Sequence, residues 1–167
     1  ISGAPANSVV QFWVQGIDGV GNAADFPAAG PDSRALFKVD YPPESPAALH
    51  TLRIIVTAAD DQWLFTPENL MSDHPIGATV IWDESEVFYD VGLRLKGSER
   101  GRPQTVRVGY AVKFRPDQPF HGVYSTVMVD RSEGVGFGQR EMLINLMMAR
   151  AGAVSSEYSD LIKVIAP

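Results

Sequence analysis

The order of apolar and polar positions divides the chain into short strands and one long helix. Ser8 to Gln15 sets Val10, Phe12 and Val14 against Gln11 and Gln15, with Trp13 on the more polar side. A period of two in β-branched and aromatic residues predicts a strand. A turn-rich stretch follows through Asp18-Gly19-Val20-Gly21-Asn22, Phe26-Pro27 and Gly30-Pro31-Asp32, and Ala35 to Val39 reads as a second strand. Two strands alone cannot bury a core. Residues 1–39 therefore read as the last two strands of a β-sandwich whose earlier strands lie before Ile1. Asp40 to Pro46 carries Pro42, Pro43 and Pro46, an extended run that predicts a linker over residues 40–46.

From residue 47 to residue 167 the pattern is α+β. Strands are predicted over Thr51–Thr57, Thr79–Trp82 and Val87–Lys96, with a short helix or turn over Ala58–Leu64 and a loop with a helical turn over Pro67–Pro75. In the third strand Val91, Leu93 and Leu95 alternate with Gly92, Arg94 and Lys96. After a polar loop Val106, Val108, Tyr110, Val112 and Phe114 alternate with Arg107, Gly109, Ala111 and Lys113. This predicts an antiparallel hairpin with one apolar face and one basic face. Val123–Val129 and Asp160–Ala166 read as further strands. Gly138 to Ala151 reads as a helix, with Gly152 as its stop. Met142, Leu143, Ile144, Leu146, Met147 and Met148 cover more than half of that helix, which predicts packing on several sides.

Composition narrows the function classes. The 167 residues are 45% hydrophobic and 20% charged, which is globular composition. Fourteen Lys and Arg against 20 Asp and Glu give a net charge of −6, so the chain has no general attraction for nucleic acid or anionic lipid. There is no cysteine, which removes disulfides, thiolate metal sites and cysteine nucleophiles together. No apolar run reaches the ~18 residues that span a bilayer. A start at Ile1 and a stop at Pro167 just after a strand read as a piece of a longer polypeptide.

Candidate chemistry is sparse. His50, His74 and His121 lack the close spacing of a zinc motif, and no G-x-S-x-G string is present. Gly134-Val135-Gly136-Phe137-Gly138 sits between a strand and a helix, with Glu157 about twenty residues on, as in a dinucleotide-binding unit. Position 139 is Gln where that motif requires glycine; a plain glycine loop into a helix is the simpler reading. If the motif holds, strands 123–129 and 160–166 pair in parallel. The loop from Gly97 to Pro103 carries Arg100 and Arg102 between two strands, where kinases place a phosphate-covering loop and ordinary proteins place a hairpin turn. Glu141 either serves its own helix N-terminus or partners a phosphate-binding lysine.

Tyr89-Asp90-Val91-Gly92-Leu93-Arg94-Leu95-Lys96-Gly97-Ser98, then Val112-Lys113-Phe114, then Arg140-Glu141 on a helix ending Ala151-Gly152, resembles the CotH family of atypical protein-kinase-like enzymes. The resemblance covers about residues 47–167, and residues 1–39 resemble the end of a fibronectin- or immunoglobulin-like module. It implies the N-terminal lobe of a kinase-like fold: an antiparallel sheet with one main helix, plus the two strands of a truncated β-sandwich. It implies an exported or cell-surface bacterial protein, of the kind associated with spore coats, whose intact form binds ATP and magnesium and phosphorylates protein serine or threonine. Arg94, Lys96 and Lys113 would then lie near the nucleotide phosphates, with Glu141 orienting one of them. The family's metal-holding aspartates would come after Pro167, so this piece is expected to hold no metal and to be inactive alone. The stretch Phe120-His121-Gly122-Val123 followed by Asp130-Arg131-Ser132 departs from the family pattern. Two other readings stand beside this one. The first is a non-catalytic surface or matrix module, and the second is a nucleotide-binding βαβ enzyme using Gly134–Gly138.

Overall fold

The computed structural model describes residues 3–39, 49–99, 102–103, 108–130, 139–152 and 158–167. The protein is α+β, with a sheet-rich body and few helices. Ten strands are described: β1 (Val9–Gln11), β2 (Val14–Ile17), β3 (Ala23–Phe26), β4 (Leu36–Lys38), β5 (His50–Ile55), β6 (Ile76–Trp82), β7 (Glu86–Lys96), β8 (Gly109–Lys113), β9 (Thr126–Val129) and β10 (Ile162–Ile165). The described helices are α1 (Ala58–Leu64), α2 (Pro67–Leu70) and α3 (Gln139–Ala151).

The body is a six-stranded sheet in the order β10-β5-β6-β7-β8-β9. Every pairing is antiparallel except β10 with β5, which is parallel. Strands β9 and β10 therefore lie at opposite edges. The parallel pairing that the dinucleotide-binding reading requires is not formed. Gly134–Gly138 and Glu157 lie outside the described residues, as do Arg100, Val106, Arg107 and residues 40–48 with the linker.

The hairpin forms as its alternation requires. Leu93 pairs with Val112 and Leu95 with Tyr110, all four buried, while Arg94 faces Ala111, Lys96 faces Gly109 and Lys113 faces Gly92. Cross-strand partners share a face, so Arg94, Lys96 and Lys113 stand opposite the apolar side. One extra residue enters β7 near Asp90, which sits at φ 55°, and the register shifts between Ala78 and Val80. Such a bulge flips parity. Phe88 and Val91, an odd number of positions apart, thereby share the core face with Val80 and Ala78. Phe88, Phe114 and Phe120 meet there at ring separations of 4.9–5.8 Å. Leu64 of α1 joins this core, with Phe65 and Leu70 against it. Helix α1 starts where the Thr57 hydroxyl accepts the Asp60 N–H at 3.1 Å, an N-cap.

The amino-terminal segment departs from expectation in two ways. The predicted strand over 8–15 is split: β1 pairs with β4, whereas β2 and β3 form a separate ribbon whose tip is Asp18–Asn22. The Asp18 carboxylate closes that tip by accepting the N–H groups of Val20 and Asn22 at 2.9 Å each. Residues 1–39 read as part of a separate module beyond a linker, yet Ser33, Ala35 and Leu36 are buried against the second face of the main sheet. The Thr79 hydroxyl accepts the Leu36 N–H at 2.9 Å and donates to the Arg34 carbonyl at 2.6 Å. The Arg34 N–H donates to Asp90, and its guanidinium bonds Asp60 at 3.0 Å. Gly77 lies directly under the Arg34 side chain, with no room for a Cβ. Phe12 and Phe26 also meet Tyr89 edge-on, at 5.6 and 6.2 Å.

Helix α3 corrects a third expectation. Instead of being packed on several sides, it leaves Leu143, Ile144, Leu146 and Met147 more than half exposed. Only Met142, Asn145 and Met148, one narrow stripe, are partly covered among its apolar and amide positions. Gly152 at φ 76° ends the helix in the left-handed region, as its sequence position predicts. Among the described residues, no helix is long and apolar enough to cross a membrane.

Candidate functional site: a cleft on the core face of the sheet

The main concavity is a cleft of about 1970 Å³ that covers the core face of the sheet and reaches Lys96 at the end of β7 and Asp130 just past β9. Its floor is apolar, built by Leu52, Trp82, Tyr110, Val129 and Val164, which the register places on one face. Its walls are α1, α3 and residues 158–162. The walls carry the polar groups: Asp61 and Gln62 from α1, Glu141 and Asn145 from α3. Asn145 donates to the Ser159 hydroxyl at 2.8 Å, tying α3 to the segment before β10.

Of the four residues singled out for nucleotide binding, Lys96 and Glu141 line this cleft and Arg94 and Lys113 do not. Glu141 is exposed, and among the described residues it forms no ion pair with Arg94, Lys96 or Lys113. The Lys96 ammonium instead bonds Asp130, just past β9. Arg94 is paired with Asp73 at 3.2 Å and donates to its neighbour's carbonyl, Leu95 O, at 3.2 Å. Lys113 is exposed at the end of β8. Arg102, a second candidate for phosphate, is 7% exposed and spent on the fold. It donates to the carbonyls of Gly97, Leu70 and Ser72 at 3.0, 3.3 and 3.0 Å and reaches Asp73 at 3.3 Å. A guanidinium with five fixed donors suits such a multi-carbonyl clamp.

Sequence spacing missed a cluster at one end of the cleft. Asp83 and Glu84 form a tight turn at φ 48° and 54°, which brings the Asp83 carboxylate beside β5. It accepts the Thr51 N–H at 2.8 Å and meets His50 Nδ1 at 2.6 Å. The Thr51 N–H, then His50 and His121, hold the Asp83 carboxyl below its ordinary value against some desolvation. The His50 ring stacks on Trp82 at 4.9 Å, and His121 approaches the same indole at 5.5 Å. A search for close histidine spacing could not find this, because the partners come from three separate segments. His74 lies elsewhere and is exposed. Among the described residues no three histidine or carboxylate side chains gather as metal ligands.

The electrostatics of the cleft are acidic. Lys96 is the one lysine or arginine lining it among the described residues, against Asp61, Asp130, Glu141 and Asp160. Lys96 is already neutralised by Asp130, while Asp61, Glu141 and Asp160 have no cation partner among the described residues. Tyr110 is 4% exposed, and burial, with the Asp61 charge adding to it, pushes its phenol up to about 12. It therefore remains a hydrogen-bond donor at any physiological pH. In comparisons with known proteins, no family model, no curated protein and no solved structure matches the chain.

Proposed function

We propose that residues 47–167 form the nucleotide-binding lobe of a CotH-like phosphotransferase acting on protein serine or threonine. The observation that carries the reading is the presence of Lys96, from β7, and Glu141, from α3, on one cleft. A strand lysine and a helix glutamate around a shared gap are the charge-positioning pair that phosphoryl transfer uses. ATP's phosphates would meet Lys96 once Asp130 gives way, and the purine would lie on the apolar floor. The described residues do not build a magnesium site, having no cluster of three ligands. The sequence resemblance also carries the expectation of an exported bacterial protein.

The test is equilibrium binding of a fluorescent ATP analogue, with and without magnesium, to the chain and to Lys96→Ala and Glu141→Gln. Binding that weakens in both variants supports the reading; binding indifferent to Lys96 removes it. A second reading, a non-catalytic surface module, is favoured by one observation. The cations offered for phosphate are already engaged, Arg94 by Asp73, Lys96 by Asp130 and Arg102 by carbonyls. No nucleotide binding by any variant is the result that reading expects.

A further inference from the structure

Strand β9 is an edge of the main sheet, and among the described residues no strand pairs with its outer side. The Phe114 N–H donates to the Ser125 carbonyl at 2.8 Å, which fixes the alternation of the β8–β9 ladder. Ser125, Val127 and Val129 turn their backbone groups inward to β8, so Thr126 and Met128 turn theirs outward. An open row of this kind is a template for another strand. The two edges of the sheet are protected differently. Strand β10 carries Lys163 and is followed by Pro167, two features that discourage edge pairing. Residues 123–129 read Val-Tyr-Ser-Thr-Val-Met-Val, with no charge, no proline and no glycine, and Val123, Tyr124 and Met128 are 74%, 42% and 52% exposed. Uncharged segments of high β-propensity are the ones that pair with their own copies.

We propose that β9 pairs antiparallel with β9 of a second copy of this chain, about a two-fold axis at Val127. Under that axis Thr126 meets the partner's Met128, and Met128 meets the partner's Thr126. Each of these pairs exchanges two backbone hydrogen bonds, so the outward N–H and C=O groups of both residues are satisfied in both copies. Val127, packed against the core, meets the partner's Val127 on the same face, a close β-branched cross-strand pair. Neutrality argues for a like copy as the occupant. No charge in 123–129 opposes its own duplicate, and the next residue, Asp130, is already paired with Lys96. A four-residue edge makes a small interface, so the dimer is weak and reversible. This assignment is independent of the nucleotide reading.

The experiment is sedimentation velocity on the whole chain at increasing concentration, with substitutions that separate β9 from other surfaces. The chain should pass from monomer to dimer in the micromolar range, and a monomer throughout that range would overturn the proposal. Met128→Pro removes one outward N–H and spares the β8 ladder, so it should weaken the dimer about tenfold or more. Met128→Lys charges the edge without altering the backbone and should act alike, which keeps the test decisive if the proline variant misfolds. Met147→Lys charges the exposed flank of α3 and should leave the dimer intact. A dimer abolished by Met147→Lys and kept in both Met128 variants places the contact on α3 and removes the β9 assignment. The chain has no cysteine, so single introduced thiols report register. Val127→Cys sets the two Cα atoms about 4.5 Å apart, within disulfide range, whereas Thr126→Cys leaves them about 8 Å apart, beyond it. Under mild oxidation Val127→Cys should give a covalent dimer and Thr126→Cys should not. Equal cross-linking by both would reduce the association to chance collision and overturn the register.

Discussion

Replacing Thr79 by valine tests whether the amino-terminal segment belongs to the same folding unit as the main sheet. Thr79 is fully buried in β6, and its hydroxyl is both acceptor for Leu36 N–H and donor to Arg34 C=O, at 2.9 and 2.6 Å. Valine keeps the shape and β-branching, so strand propensity and packing volume hardly change. What changes is that one N–H and one C=O lose their shared partner. Each unsatisfied buried group costs about 1–3 kcal/mol, and the added methyl returns about 0.8 kcal/mol. The net loss is about 1–5 kcal/mol, which for a chain of this length lowers the melting temperature by roughly 3–15 °C. Urea unfolding followed by circular dichroism, with thermal melts alongside, measures it. A single cooperative transition shifted by that amount is expected, with proteolysis between residues 1–39 and the rest enhanced in the variant. A Thr79→Val protein within about 0.5 kcal/mol of the parent would refute the reasoning: residues 33–38 would then not be held by β6.

Three further outcomes follow from other contacts. Arg102→Ala strips four hydrogen bonds from the joint between the Gly97–Pro103 loop and residues 70–73, so urea unfolding should show a loss of about 2–4 kcal/mol, with ATP-analogue affinity unchanged. Asp83 has a carboxyl lowered chiefly by the Thr51 N–H, so its contribution is present above about pH 4 and lost as pH falls through the lower folded value; Asp83→Asn should flatten the acid limb of the melting-temperature profile. Asp130→Asn frees Lys96 from its carboxylate, and on the nucleotide reading it should tighten ATP-analogue binding, whereas unchanged or weaker binding in a titration would count against Lys96 as the phosphate contact.

The parts of the fold legible in the sequence are those decided by neighbours in the chain. The β7–β8 hairpin is readable because each residue from Val91 to Lys96 alternates strictly, and the helix 139–151 because its stop, Gly152, takes a left-handed conformation. Helix α1 has both ends where the pattern puts them for the same local reason, its Thr57 cap. What the pattern hides is decided by tertiary geometry. Apolar density on α3 predicts burial on several sides, but composition cannot say which flank lines the cleft, and the Leu143–Met147 flank faces outward. The choice of β5 as partner for β10 is a pairing across more than a hundred residues, which no pattern in 160–166 encodes. In the candidate site, Lys96 and Glu141 share a cleft, yet local pattern does not reveal their immediate surroundings. Asp130 and Asp73, which pair with Lys96 and Arg94, are acidic residues on other segments whose pairing depends on register.

The parallel docking of β10 on β5 has a kinetic consequence. During synthesis β5 emerges early, and its partner strand follows more than a hundred residues later. At about 5–20 residues per second, the outer edge of β5 waits roughly 6–20 s for Ile162–Ile165. Over that interval the edge presents Leu52, Ile54 and Ile55 with an open row of amides, the condition under which nascent chains pair with one another. Ribosome-bound chains halted before residue 162 should therefore engage holdase chaperones at β5 and release them once β10 has been made. Refolding from urea should carry a slow, concentration-sensitive phase that tracks closure of this one edge, while the local β7–β8 hairpin forms ahead of it.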